Sequence, residues 1–222
     1  MYYTQILPRA GRPAGANDYD NATTRILSAV STDGLNWTPE PGVRLTPEQG
    51  GAGEFRVVSS EVVPMTDGSG RLRMYFESCL GAQSTENSIR SAVSEDGGLA
   101  WTLEEGHRLR IGGGNLMASR IIFTDDGRIR LYVTQNGVGI ISAISADGGT
   151  DFTLEGPRLP EDTTAFAPEI VRLPEGGYRM YYTSQLSDTV PTEGGSQQIL
   201  SATSTDGLEW QVDAPVVVPD GK

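Results

Sequence analysis

Short runs in which apolar and polar residues alternate recur along the whole chain, and most of them close on a turn rich in glycine and aspartate. An alternation of period two predicts β-strands with one buried face, and no segment shows the 3.6-residue period of an amphipathic helix. The 222 residues include 28 glycines and 13 prolines, which suits many short strands joined by tight turns. The pattern therefore predicts an all-β protein with almost no helix.

One hairpin sequence occurs four times. Its copies are ILSAVSTDGLNW (26–37), IRSAVSEDGGLAW (89–101), IISAISADGGTDF (140–152) and ILSATSTDGLEW (199–210). A tyrosine-rich strand precedes each copy, a further apolar strand precedes three of these tyrosine-rich strands, and another strand follows the aromatic residue. Each unit thus reads as four antiparallel strands, and a strand-rich repeat of roughly 40 to 50 residues is typical of β-propeller blades.

The repeat predicts a single β-propeller domain over residues 1–222 with about four four-stranded antiparallel blades. Its units cover about 1–58, 59–117, 118–166 and 167–222. The first unit begins at its second strand, and the chain ends on VVVPDGK (216–222), which reads as a first strand and its turn. Two interpretations stay open. Either the C-terminal strand pairs into the first blade and closes the ring, giving a monomer or a strand-exchanged dimer, or the chain is part of a longer propeller.

Charge and composition narrow the range of partners. The formal net charge is -12, so nucleic acids and anionic membranes would be repelled and are not expected partners. The single Cys79 excludes an intramolecular disulfide, and with one histidine, His107, no Cys/His metal cluster is expected and no cofactor is implied. No apolar stretch approaches the ~20 residues that span a bilayer, and the N-terminus lacks a signal pattern. A soluble protein is expected, either cytoplasmic or secreted with its start trimmed.

The aspartate of the repeated hairpin is a turn former in this interpretation. An aspartate side chain caps backbone N–H groups in a tight turn, glycine accepts a positive φ, and the following aromatic residue packs the outer strand onto the sheet. A catalytic aspartate would not be needed four times over. The residues concerned are Asp33, Asp96, Asp147 and Asp206.

A tyrosine also recurs at one position of the second strands. We assign Tyr3, Tyr75, Tyr132 and Tyr181 to that position. Such regularity favours packing between blades over stacking on a sugar ring, because a ligand contacts only some of the blades.

Candidate chemistry lies at the starts of the inner strands, where a propeller exposes side chains to its central tunnel. Glu61, Arg120 and Glu169 are equivalent in the repeat and are charged where their neighbours are apolar. Two carboxylates and a guanidinium in one pocket suit a glycosidase acid/base pair, with the arginine tuning charge or gripping substrate. The alternative is that Glu61 and Arg120 simply pair across the tunnel and offset each other. Unmatched inner charges are costly, and two glutamates compete for one arginine.

A second group of polar residues ends the second strands. They are Gln5, Glu77, Gln135 and Gln185. Amide and carboxylate groups at such positions are able to hydrogen-bond the hydroxyls of a sugar or a similar ligand, so we predict that they bind substrate. Glu77 stands where the other units have threonine, which makes it a third candidate carboxylate.

The hairpins carry a resemblance to known enzymes. Residues 94–101 (SEDGGLAW) resemble the Asp box of sialidases, Ser-x-Asp-x-Gly-x-x-Trp, and residues 31–37 and 204–210 resemble the Ser-x-Asp-Gly-x-x-Trp hairpins of five-bladed glycoside hydrolases. Together the repeats resemble the superfamily that includes family 43 arabinanases and xylosidases, invertases and levansucrases. The resemblance implies a carbohydrate-active propeller with an oligosaccharide or other small-molecule ligand.

Two departures from that superfamily bear on function. Its acids lie in motifs resembling Asp-Pro and Glu-x-Pro near the starts of inner strands, and here the aspartate position holds Ser59, Ala118 or Ala167, while Phe166 stands at the glutamate position. The chain also shows four units instead of five. A divergent hydrolase that uses Glu61 and Glu169 is therefore weighed against a non-catalytic propeller that binds a glycan or a protein.

Overall fold

The computed structural model describes residues 1–11, 21–81, 86–185 and 197–213, and within these ranges the chain forms fifteen β-strands and no helix. The strands are β1 (Tyr2–Pro8), β2 (Ala22–Val30), β3 (Thr38–Pro39), β4 (Arg56–Pro64), β5 (Leu72–Cys79), β6 (Asn87–Ser94), β7 (Thr102–Leu103), β8 (Leu116–Phe123), β9 (Ile129–Gln135), β10 (Gly139–Ser145), β11 (Thr153–Pro157), β12 (Phe166–Arg172), β13 (Tyr178–Ser184), β14 (Gln198–Ser204) and β15 (Gln211–Val212). None of the described residues belongs to a helix long and apolar enough to cross a membrane.

The strands form four antiparallel sheets in chain order, so the all-β propeller with four blades is confirmed. Blade 1 contains β1–β3, blade 2 contains β4–β7, blade 3 contains β8–β11 and blade 4 contains β12–β15. Blade 1 has three strands in the described residues, because it begins at the strand that is second in the other blades. The inner strand β8 lies between β4 and β12, and β4 also contacts blade 1.

The ends of the propeller do not meet in the part of the chain that the structure describes. No strand of blade 1 contacts a strand of blade 4 among those residues. The segment 216–222, which the sequence suggested as the strand that closes the ring, lies outside the described residues. The closure therefore stays a prediction.

The hydrophobic core is divided among the interfaces between consecutive blades. Ile26 and Phe76 belong to the cluster between blades 1 and 2, and Leu131 belongs to the cluster between blades 2 and 3. Met180 and Tyr182 lie in the third cluster, between blades 3 and 4. Burial of one such side chain contributes on the order of 1.5–3 kcal/mol, so each blade depends on its neighbour for stability.

The repeated aspartates lie in the hairpin turns and accept backbone hydrogen bonds. In blade 1 the Oδ1 atom of Asp33 accepts from the N–H groups of Leu35 and Asn36, both at 2.8 Å. The hydrogen bonds from Asn36 hold the pKa of Asp33 well below its usual range. In blade 2 the Oδ1 atom of Asp96 accepts from the N–H of Leu99 at 3.0 Å. This geometry matches a turn-forming role.

A tyrosine from each of the first three blades reaches the hairpin of the next blade. Tyr75 and Tyr132 do so as predicted, but the residue of blade 1 at this position is Tyr2 and the assignment of Tyr3 was wrong. The register shows the reason, because Tyr2 pairs with Ser28 just as Tyr75 pairs with Ser91. Two adjacent tyrosines in MYYTQ left the alignment ambiguous by one residue.

Candidate functional site

Each of the three inner strands carries the same bulge where it enters the tunnel. The strand register shifts between Val58 and Glu61 in β4, between Met117 and Arg120 in β8, and between Phe166 and Glu169 in β12. Inside the bulges Ser59, Ala118 and Ala167 adopt φ values of 54°, 53° and 52°. They are the non-glycine residues with positive φ in the described chain, and this left-handed backbone costs about 1–2 kcal/mol for an L-residue.

The bulge places a charged residue at the same point of each inner strand. After it, Glu61, Arg120 and Glu169 return to the ladder opposite Tyr75, Tyr132 and Tyr181 of the neighbouring strands. A bulge redirects the side chains that follow it, and three equivalent bulges redirect three side chains toward one point. The structure thus brings together the three residues that the repeat had singled out.

Arg120 lies between the two glutamates. Its Nε atom is 2.6 Å from Oε2 of Glu169 and 3.9 Å from Oε2 of Glu61. Its Nη1 atom donates to the carbonyl of Ser119 at 2.8 Å, which holds the guanidinium against its own strand. Because both ion-pair distances start from one nitrogen, these two carboxylate oxygens are at most about 6.5 Å apart, which is below the upper limit of about 9.5 Å for the carboxyl groups of two-carboxylate glycosidases.

The two carboxylates have different environments. The side chain of Glu61 is 27% exposed and that of Glu169 is 55% exposed. Burial raises the pKa of Glu61 to about 7, and repulsion from Glu169 adds to the rise. Attraction to Arg120 and a hydrogen bond from the N–H of Ile121 oppose the rise without cancelling it. Glu61 is therefore partly protonated at neutral pH, as a general acid needs to be.

Two of the four predicted ligand-binding residues share a cavity. Gln135 and Gln185 line a space of about 520 Å³ between blades 3 and 4, beside the starts of β8 and β12. The backbone N–H of Gln185 donates to Oγ1 of Thr164 at 3.2 Å, which fixes one wall of the cavity. Further lining residues include Thr134, Asn136, Phe166 and Gln197.

The other two predicted ligand-binding residues lie elsewhere. The Oε1 atom of Gln5 accepts a hydrogen bond from Nε of Arg25, the residue opposite it in blade 1. Glu77 is buried, and its Oε1 atom accepts from Nδ2 of Asn87 at 2.9 Å and from Sγ of Cys79 at 3.1 Å. These contacts are internal to the blades, so a binding role for Gln5 and Glu77 stays a prediction.

The sequence contained a signal for the bulges that periodicity did not reveal. Each bulge has small residues or proline just before the charge, as SSE (59–61), ASR (118–120) and APE (167–169). A small side chain tolerates the left-handed backbone better than a branched one.

Among the described residues there is no group of three or more His, Cys, Asp or Glu able to hold a metal ion.

The fold is similar to that of known glycoside hydrolases. The chain matches a thermostable family-43 glycoside hydrolase at 16% identity and a TM-score of 0.65, over 88% of this chain and 66% of that one. It matches an exo-β-1,3-galactanase from Clostridium thermocellum at 14% identity and 0.64, over 96% and 45%. It matches an endo-arabinase from Bacteroides thetaiotaomicron at 15% identity and 0.67, over 91% and 74%.

These similarities concern the propeller fold, and at the level of the fold they confirm the resemblance seen in the hairpins. The chain spans less than two thirds of several of the solved structures it matches, 45% of the galactanase for example. No family model matches the sequence. No curated protein matches it either.

Proposed function

We propose that this protein is a carbohydrate-active propeller of the glycoside hydrolase type, in which Glu61 and Glu169 form the acid/base pair and Arg120 positions them. The observation that carries this proposal is the contact of one guanidinium with two carboxylates, one of which has its pKa raised to about 7. A pair of carboxyl groups whose environments separate their protonation states is the arrangement that glycoside hydrolysis requires.

The two glutamates have separate tasks in this proposal. Glu61, protonated near neutral pH, donates its proton to the oxygen of the departing sugar. Glu169 pairs with Arg120 and acts on the opposite side of the bond, as a base toward water or as a nucleophile. The limit of about 6.5 Å applies to one oxygen of each carboxylate and does not distinguish the two geometries, so the configuration of the released sugar decides between them.

The cavity between blades 3 and 4 is the proposed binding region for the part of the ligand beyond the scissile bond, because Glu61, Arg120 and Glu169 do not line it. The side chains of Gln135 and Gln185 offer both donors and acceptors to sugar hydroxyls, and Phe166 adds an apolar wall. No charged side chain lines the cavity among the described residues, which favours a neutral sugar over a uronic acid or a phosphorylated one. The solved structures of similar fold support this class of ligand, since they include a galactanase and an arabinase.

A second candidate function rests on a separate observation. The bulge residues Ser59, Ala118 and Ala167 occupy the position at which the resembled superfamily carries its aspartate, and none of them has an acidic side chain. The strained backbone is present in all three blades without the carboxylate. A propeller that binds a glycan, or a protein partner, without cleaving it is therefore the alternative.

The test is hydrolysis of a broad panel of aryl-glycosides and neutral oligosaccharides by the wild type, Glu61→Gln and Glu169→Gln. Glu175→Gln is the matched control, because Glu175 is exposed in the turn between β12 and β13. A loss of ~100-fold or more in either active-site variant, with the control unchanged, supports acid/base chemistry at the tunnel. The wild-type rate should also decline as the pH rises through about 7, where Glu61 loses its proton.

Absence of turnover by the folded wild type across the whole panel would contradict the hydrolase proposal. The same proteins would then be applied to a glycan array together with Gln135→Ala. Glycan binding that Gln135→Ala weakens and Glu61→Gln does not would support the binding module.

A further inference from the structure

All three interfaces between consecutive blades use one contact, which we call the tyrosine–hairpin contact. A tyrosine hydroxyl of one blade donates to a glycine carbonyl in the hairpin of the next blade, and the same ring packs edge-on against the hairpin's aromatic residue. The hydroxyl–carbonyl pairs are Tyr2–Gly98 at 3.1 Å, Tyr75–Gly149 at 2.9 Å and Tyr132–Gly207 at 2.6 Å. The ring pairs are Tyr2–Trp101, Tyr75–Phe152 and Tyr132–Trp210, with centroids 5.8, 6.0 and 6.0 Å apart.

An arginine two residues before the tyrosine completes the contact in blades 2 and 3. Arg73 donates to the carbonyl of Gly148, and Arg130 donates to the carbonyl of Asp206 at 2.9 Å. Both guanidiniums are held from behind by a carboxylate on the outer strand, Glu155 in the case of Arg130. Bidentate support of this kind aims the free N–H of the arginine at the incoming hairpin.

Blade 4 carries the receiving half of this contact, and no hairpin of the described residues covers it. Its tyrosine, Tyr181, is 40% exposed, its side-chain hydroxyl makes no hydrogen bond among the described residues, and Ile199 of the next strand is 66% exposed. Its arginine, Arg179, reaches Asp213 only at 3.9 Å, and its buried Nε atom has no partner among those residues. We call this surface the blade 4 face.

Blade 1 carries the inserting half with no tyrosine on it. The backbone of Gly34 would place a Cβ in open space, with no atom within 4 Å, whereas the Cβ at Gly207 would meet the Tyr132 hydroxyl at 2.6 Å. Leu35 of this hairpin is 84% exposed and Trp37 is 42% exposed. The corresponding residues of the hairpin that Tyr132 contacts, Leu208 and Trp210, are partly buried.

The two unfilled halves match each other in sequence as well as in geometry. The hairpin of blade 1 reads STDGLNW (31–37), and the hairpin that Tyr132 binds reads STDGLEW (204–210). The two differ only in Asn36 against Glu209. Since Tyr181 is the equivalent of Tyr132, the blade 4 face has the shape and the donors to bind the hairpin of blade 1.

We propose that the blade 4 face of one molecule binds the hairpin 31–37 of a second copy of this chain. Within the described residues the two halves do not meet in one chain, because no strand of blade 1 contacts a strand of blade 4 there. The contact is head-to-tail, so each copy keeps one half free, and the association continues until the copies close into a ring or extends as an open filament. The net charge of -12 on each copy opposes association, so salt strengthens it.

Sedimentation velocity at protein concentrations from about 1 to 200 μM, at low and high salt, tests the proposal on the whole chain. Leu35→Glu alters only the hairpin and Tyr181→Glu alters only the blade 4 face, and both residues are exposed, so the fold is retained. Leu154→Glu, on the outer strand of blade 3 and 49% exposed, is the matched control. We expect the wild type and the control to associate and each variant to weaken the association at least about tenfold.

A mixture of the two variants gives the sharpest result. Leu35→Glu retains an intact blade 4 face and Tyr181→Glu retains an intact hairpin, so together they form one productive contact and no more. At a concentration where each variant alone is monomeric, the mixture should yield a one-to-one dimer. A wild type that is monomeric at every concentration, an association that both variants leave unchanged, or a mixture that gives no dimer would each overturn the proposal.

Discussion

The Nε atom of Arg120 lies 2.6 Å from a carboxylate oxygen of Glu169, on the inner strand of the neighbouring blade. The same atom is 3.9 Å from Glu61, so the guanidinium favours one carboxylate over the other. Glu169 is the more exposed of the two glutamates and still has the closer contact. Glu61 is therefore largely buried while Arg120 only partly offsets its negative charge, and this is the physical reason for its pKa of about 7.

The first prediction concerns stability and pH. The pKa of Glu61 is raised in the folded state, so the folded protein binds this proton more tightly than the unfolded chain does. The free energy of unfolding should therefore fall as pH rises from about 4.5 to about 7, and Glu61→Gln should remove this part of the dependence. At pH 8 the variant should be more stable than the wild type by on the order of 2 to 3 kcal/mol, measured by urea unfolding.

The quantity to compare is the difference in unfolding free energy between Glu61→Gln and the wild type at each pH, since other carboxylates also titrate in this range. Below pH 4.5 the difference should shrink toward zero, because Glu61 is then protonated in both states. A difference that is constant from pH 4 to pH 8 would show that the substitution acts through packing and that Glu61 titrates normally.

The second prediction concerns the cation. Arg120→Gln leaves two carboxylates facing each other, which raises the pKa of Glu61 further and disfavours the folded state when both are ionised. The loss of unfolding free energy should be on the order of 1 to 2 kcal/mol larger at pH 8 than at pH 5, given the partial exposure of the cluster. In the double variant with Glu61→Gln the difference between the two pH values should largely disappear. An equal loss at both pH values in Arg120→Gln would mean that the guanidinium acts by packing alone.

Much of this arrangement follows from local sequence. The four hairpins each encode their own turn through Asp, Gly and an aromatic residue. Since each blade contains one hairpin, the order of the hairpins along the chain gives the order of the blades. The equivalence of Glu61, Arg120 and Glu169 is likewise visible in the repeat. The distance of each glutamate from Arg120 is not, because it depends on how three separate inner strands pack around the axis.

Other features depend on the tertiary arrangement and could not be predicted from the sequence. The left-handed backbone at Ala118 arises because the bulge inserts an extra residue into β8 opposite β9, which no strand propensity encodes. Gln135 and Gln185 share a cavity while Gln5 pairs with Arg25, although all three follow a similar strand pattern. The packing of blade 3 against blade 4 forms the cavity that Gln135 and Gln185 line. Gln5 instead lies opposite Arg25 in its own sheet and accepts a hydrogen bond from it.

The third prediction tests the strain in the bulges. Ala118 has a φ of 53°, which glycine adopts without a steric penalty, so Ala118→Gly should stabilise the protein by about 0.5 to 1 kcal/mol despite the greater freedom of glycine in the unfolded chain. Ala143→Gly is the matched control, because Ala143 is buried in β10 with an ordinary backbone. The control should be destabilised by about 1 kcal/mol in the same thermal or urea unfolding experiment. Destabilisation of both variants by the same amount would show that Ala118 is not strained.

The fourth prediction separates backbone strain from contact between blades with two alanine substitutions. Gly34 and Gly207 have the same φ of 74°, so replacement by alanine carries the same left-handed penalty at each. A Cβ at Gly34 meets nothing within 4 Å, whereas a Cβ at Gly207 lies 2.6 Å from the hydroxyl of Tyr132 and 2.9 Å from Nη1 of Arg130. Gly207→Ala should therefore cost about 1 to 3 kcal/mol more than Gly34→Ala in urea unfolding at low protein concentration.

Tyr132→Phe provides the internal control for that difference, because it removes the hydroxyl that the new Cβ would meet and keeps the ring against Trp210. The single variant loses the hydrogen bond to Gly207, about 1 kcal/mol. Combined with Gly207→Ala it should cost less than the sum of the two single substitutions, since one of them removes the clash that the other creates. Strict additivity, or equal costs at Gly34 and Gly207, would mean that the hairpin of blade 4 is stabilised within its own blade and that the tyrosine contributes little to joining blades 3 and 4.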